Sequence, residues 1–125
     1  MGKINSYKDL IVWQKSMVLV TETYAMAKFF PENERYGLTS QLTRASVSVP
    51  SNIAEGWGRE SSKSYMQFLK IARGSLMEVE TLLTIAQRLN YINEDLAKKN
   101  LQLIEEISKM LNSLLRSINE KIIYN

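Results

Sequence analysis

Arg44, Ser48, Asn52, Glu55 and Arg59 follow one another at spacings of four, four, three and four, which stacks them on one face of any helix that holds them. Further along, Ser75 and Glu78 interrupt a run of apolar positions at helical spacing. Carboxylates facing arginines in this way can build an acid–base or metal site, or they can form a buried polar network that fixes how two helices meet. Bundles that bind two metal ions add a histidine at i, i+3 to their carboxylates, and this chain has no histidine. The pattern therefore favours a structural network of Arg44, Asn52, Glu55 and Glu78, in which Glu55 or Glu78 pairs with Arg44 or Arg59. Without histidine or cysteine, the commonest general base, the commonest metal ligand and every Ser-His or Cys-His nucleophile are missing. The sequence gives no reason to expect catalytic residues, a metal or a cofactor, and it reads as a protein that binds and is not an enzyme.

A second set is basic. Arg59, Lys63, Lys70 and Arg73, with Gln67 between them, flank a helix start, and Lys63, Lys70 and Arg73 fall within one helical face. Cations spaced along a rigid helix can follow a phosphate backbone through counterion release, with Tyr36, Trp57 and Tyr65 as stacking surfaces for unpaired bases. The formal charge of the 125 residues is only +3, but its excess is local: residues 35–73 hold six Arg and Lys against Glu55 and Glu60. The plainer readings are a solvated face with Trp57 and Tyr65 in the core, or a basic surface that meets an acidic protein. Gly56-Trp57-Gly58 lacks the lysine spacing of a phosphate-binding loop and reads as the exit from a helix.

These residues need helices to position them, and the apolar periodicity supplies four, at about 8–30, 37–58, 62–90 and 94–122 of a single 1–125 domain. The first has a stripe through Leu10, Trp13, Met17, Val20, Tyr24 and Ala27. The second carries Leu38, Leu42, Ala45, Val49 and Ile53, with Pro50 inside it predicting a kink or a division into two shorter helices. The third has one seam from Tyr65 through Leu69, Ala72, Leu76, Val79 and Leu83 to Ala86, and a second through Phe68, Ile71, Ser75, Glu78, Leu82, Ile85 and Leu89. The fourth also has two seams, and Ser61 or Ser62 and Asn93 stand where helix caps belong. Met and aromatic positions 13, 17, 66, 68, 77 and 110 read as core.

Short connections predict an all-α, antiparallel, up-and-down four-helix bundle. Apolar width on the third and fourth helices exceeds one bundle interior, which predicts a homo-oligomer. The longest apolar runs are far short of a membrane span, and the absence of cysteine suits the cytoplasm. Gly2 and Ser6 match a loose N-myristoylation pattern that is too short to be specific.

The segment from Arg44-Ala45-Ser46-Val47-Ser48-Val49-Pro50 to Ser51-Asn52-Ile53-Ala54-Glu55-Gly56, with Arg59 after it, resembles the hallmark of the four-helix-bundle proteins encoded in intervening sequences of bacterial 23S ribosomal RNA genes. The opening Tyr7-Lys8-Asp9-Leu10-Ile11-Val12-Trp13-Gln14-Lys15 and the run from Phe68 to Glu78 resemble the same family, in the same order and over roughly residues 7–120. That family includes the accessory variability protein of diversity-generating retroelements. The resemblance implies a homopentamer with a basic surface that binds RNA or DNA and, in the retroelement branch, a reverse transcriptase. It implies no enzyme; four-helix ribonucleases of the HEPN type have a similar architecture, but their motif needs a histidine that is missing here. Carried over by motif, Arg44, Asn52, Glu55, Arg59 and Glu78 are shared polar positions of a structural kind, and Arg59, Lys63, Lys70 and Arg73 are the candidate nucleic-acid contacts.

Overall fold

The computed structural model describes residues 3–124, with side chains to residue 122, so Gly2 and its lipidation pattern lie outside the described residues. Four helices follow in order: α1 (Ile11–Ala27), α2 (Leu38–Trp57), α3 (Ser62–Arg88) and α4 (Glu94–Tyr124), with single 3-10 turns at Tyr7–Asp9 and Glu32–Glu34. Among the described residues there is no strand. Helix α2 lies between α1 and α3, α3 packs on α4, and α4 closes onto α1, while among the described residues the backbones of the diagonal pairs stay more than 8 Å apart. This is a four-helix bundle. Lys15 reaches Glu106 at 2.7 Å and Glu22 reaches Lys99 at 3.2 Å, so rising numbers on α1 meet falling numbers on α4 and those two helices are antiparallel. No helix among the described residues is long and apolar enough to cross a membrane.

The helix starts follow their capping residues. The Ser61 hydroxyl accepts from the Ser64 N–H at 3.1 Å and the Asn93 carbonyl from Leu96 N–H at 2.8 Å, each satisfying a backbone donor that the first turn leaves free. Before α1, the Asp9 carboxylate accepts from the N–H groups of Asn5 and Ser6, tying down the entering chain. Helix α3 ends in a Schellman motif: Asn90 adopts a left-handed φ of 61°, and the Tyr91 N–H donates to Ala86 C=O at 2.9 Å. That turn aims Tyr91 at the α1–α2 connection, where its ring meets Phe30 at 5.6 Å and its hydroxyl donates to Glu34 at 3.0 Å.

The expected seams of α2 and α3 are the core. Leu42, Val49, Ile53, Leu69, Ala72, Leu76, Val79, Leu83 and Ala86 are fully buried, joined by Ile104, Ile107 and Leu111 from α4. Pro50 is buried inside α2, which runs as one helix through it and does not divide in two. The stripe expected on α1 is corrected by the structure. Its buried residues are Val12, Ser16, Leu19, Thr23 and Met26, while Met17 and Tyr24 are exposed. Two polar residues occupy the true seam and apolar residues surround the rest of the helix, so periodicity pointed to the wrong face. Ser16 neutralises its hydroxyl by donating to Val12 C=O at 2.7 Å. Thr23 Oγ1, equally buried, has no hydrogen-bond partner among the described residues, and neither has Oδ1 of the fully buried Asn100.

Between α2 and α3 the backbones approach closely. A Cβ built on the buried Gly56 would lie 2.9 Å from both Phe68 Cβ and Tyr65 Cδ1. The first of these is anchored directly to the α3 backbone and cannot swing away.

Three outcomes follow for stability. Gly56→Ala should destabilise the fold by about 1–3 kcal/mol, because overpacking at this contact must push the helices apart. Thr23→Val, nearly the same shape, should stabilise it by about 1 kcal/mol by removing a buried, unpartnered hydroxyl; urea denaturation of both variants checks the opposite signs. Hydrogen bonding to Glu34 raises the pKa of Tyr91, and burial raises that of Tyr65. Folding thus favours the neutral phenols: their contribution is complete below the unfolded value near 10 and is lost as pH rises through the folded values. Unfolding midpoints should fall between pH 9 and 11, and Tyr91→Phe should flatten that fall.

Candidate nucleic-acid interface

The polar residues of α2 meet α3 at one point. Ser48 and Ser75 share a hydrogen bond of 2.8 Å between their hydroxyls, and the Asn52 amide donates to Ser48 C=O at 2.8 Å and to its Oγ at 3.0 Å. The structural polar contact therefore consists of Ser48, Asn52 and Ser75. Of the network expected from the sequence, only Asn52 takes part. Arg44, Glu55 and Glu78 are exposed, and among the described residues none of them, nor Arg59, makes an ion pair. The physical reason is side-chain length. Two backbones held this close leave room for hydroxyls and one amide, whereas longer charged groups at the flanks of the seam reach water and avoid the cost of desolvation.

The basic residues are carried by the connection after α2 and the first turns of α3. The Arg59 guanidinium lies 4.4 Å from the Phe68 ring centroid, a cation–π contact that fixes it at the head of α3. Lys63 and Lys70 are exposed on the face that also bears Met66 and Arg73. Arg73 crosses to α4, donating to Asn112 Oδ1 at 3.1 Å. Asn112 is neutral, so this bond orients the guanidinium without cancelling its charge. Arg116 joins the set from α4: Lys70, Arg73 and Arg116 line one open groove between α3 and α4. Sequence reasoning missed Arg116, because residues 94–125 balance their charges and only the α3–α4 packing shows which cations lie together.

The aromatic neighbours divide. Trp57 and Tyr65, placed in the core by the plainer reading, are half-buried and meet edge to face at 6.4 Å, with Tyr65 packed against the core. Tyr36 is exposed but lies in the connection before α2, a helix length of about 30 Å from the basic residues that follow it. Of the six Met and aromatic positions expected in the core, none is fully buried: Trp13, Met66, Phe68 and Met110 are half-buried, and Met17 and Met77 are exposed. Among the described residues no cluster of acidic side chains could hold a metal ion.

Comparison with known proteins agrees with this architecture. The chain is similar to a crystal structure of a protein of unknown function from the S23 ribosomal protein family of Bacteroides thetaiotaomicron VPI-5482, at 26% identity and a TM-score of 0.78, covering 83% of this chain and 97% of that one. No curated protein matches the sequence. Residues 8–113 match the family model of the 23S rRNA-intervening sequence proteins, and with most of its length inside that match the chain belongs to this family.

Proposed function

We propose that this protein is a non-enzymatic, oligomeric accessory protein of the cytoplasm that binds RNA or DNA with little base specificity through Arg59, Lys63, Lys70 and Arg73. The observation that carries the reading is the placement of Lys63, Lys70 and Arg73 on one flank of α3, with Arg59 held over Phe68 at the head of that helix and no ion pair among the described residues to neutralise any of the four. A row of free cations on a rigid helix attracts a polyanion regardless of sequence, because phosphates offer the same charge at every nucleotide.

Self-association is supported by the outer face of α3. Ile71, Ile85 and Leu89 remain 50%, 40% and 49% exposed along one stripe of that helix. Gly74 lies beside them, and a Cβ there would meet nothing within 4 Å, so no contact inside the chain accounts for a helix-weakening glycine. A second copy seated on this stripe accounts for both features, and a closed ring such as a homopentamer would repeat the basic flank around an axis. Such an assembly could hold nucleic acid beside a protein partner, a reverse transcriptase among them.

The test is a binding titration against single- and double-stranded RNA and DNA at two salt concentrations, with the assembled mass measured by light scattering. Wild type should bind in a salt-sensitive way as a closed oligomer. Replacing Lys70 and Arg73 with Glu should weaken binding to all sequences alike and lower the salt slope by about one unit per lost cation, leaving the fold intact. Unchanged affinity would overturn the assignment. A closed oligomer that ignores every nucleic acid would return the basic flank to the second reading, a scaffold that recruits an acidic protein partner.

A further inference from the structure

We propose that the groove between α3 and α4 is a binding site for one unpaired strand of nucleic acid, with Arg116 as its third cation, and that the protein prefers single strands to duplexes. The inference rests on the nucleic-acid reading above and adds to it the class of ligand and a residue from a helix that reading does not use.

Lys70, Arg73 and Arg116 line the groove, and no carboxylate shares its walls. Asn112 and Asn119 complete the polar lining, while Met66 and Leu115 contribute apolar surface. This composition separates into the parts a nucleotide needs. The cations suit phosphate oxygens, since Arg73 keeps donors beyond the one it spends on Asn112. Side-chain amides offer both a donor and an acceptor, so they can meet a sugar hydroxyl or the edge of any base. Half-buried Met66, above the buried Leu115, gives an unpaired base or sugar an apolar surface to cover, with the thioether adapting to its shape.

Width decides between one strand and two. Packed helices hold their axes about 8–10 Å apart with side chains filling the space between, so only a shallow surface furrow remains, too narrow for a duplex to enter but open to one extended strand laid along it. A duplex keeps its bases stacked inside and presents its phosphates on rims, about 12 Å apart across the major groove of B-form DNA, while A-form RNA has a major groove too narrow for side chains to read. It could rest one rim on the cations but could not bring a base to Met66. Cations on both walls of a narrow furrow therefore favour the strand that can enter it.

The experiment uses the full-length protein in fluorescence anisotropy titrations with a labelled oligouridylate and a blunt RNA duplex of equal length. Wild type should bind the single strand roughly tenfold more tightly, and Arg116→Glu should remove most of that preference. Lys98→Glu, an equal charge change at an exposed site of α4 outside the groove, should have little effect. Arg116→Gln provides a milder variant, and thermal unfolding checks that each variant folds. Equal losses from Arg116→Glu and Lys98→Glu, with Lys63→Glu still weakening binding, would overturn the groove and leave the nucleic-acid reading standing. Duplex binding as tight as single-strand binding would overturn the strand preference. Absence of binding to either probe would overturn the nucleic-acid reading and this inference with it.

Discussion

The close approach of α2 to α3 sets the rotation of every other surface in this protein. Gly56 lets the α2 backbone come within 2.9 Å, measured from its absent Cβ, of the first side-chain carbon of Phe68, and the Ser48–Ser75 hydrogen bond sits in the same seam. Both contacts require small groups, and both fail if α3 turns about its axis. Once Ser75 faces α2, the 100° advance per residue places Lys70, five positions earlier, roughly 140° around the helix. Lys63 lies a further seven positions back and so nearly in line with Lys70. The same rotation sends Arg73 to α4, where Asn112 receives it. Packing thus aims the basic residues without touching most of them.

How much of this could be read from the amino acids depended on whether packing or solvent decided each position. The seams of α2 and α3 were legible because their apolar residues are buried and evenly spaced, and Ser61 and Asn93 cap the helices where their side-chain chemistry suits only that role. Helix α1 was misread because hydrophobicity marks its buried face poorly. Ser16 and Thr23 sit inside, whereas Ile11, Val18 and Tyr24 lie outside. A serine that returns its hydroxyl to its own helix costs little when buried, so a seam can hold it without any signal in the apolar pattern.

The expected network of Arg44, Glu55 and Glu78 failed for a related reason. A shared helical face shows that residues are neighbours, not that they face inward. Seven residues separate Glu78 from Ile71 and from Ile85, and all three are exposed, so the second seam of α3 is an outer surface for much of its length. Ser75, beside that line, turns just far enough to reach Ser48. Periodicity showed that α3 has two faces to satisfy, and only the packing showed that the bundle buries one from Leu69 to Ala86 and reaches the other at Phe68, Ser75 and Leu82 alone.

Charge on α4 is divided in the same way. Towards α1, Glu106 pairs with Lys15 and Lys99 with Glu22; along its own surface Lys109 pairs with Glu105. Each such exposed pair contributes at most about 1 kcal/mol to stability, but each also cancels its field. Towards α3 the pattern changes: Arg116 joins Lys70 and Arg73, and the polar neighbours there are neutral amides. A formal charge of +3 understates the potential in that groove, because the compensating acids lie on other faces. Keeping like charges together lowers the stability of the isolated chain slightly, and a polyanion relieves that repulsion when it binds. The arrangement makes little sense as a means of stabilising the bundle, since an aspartate at Asn112, of the same shape, would have paired with Arg73 at the same distance. The amide there holds the guanidinium in place and leaves its charge uncancelled.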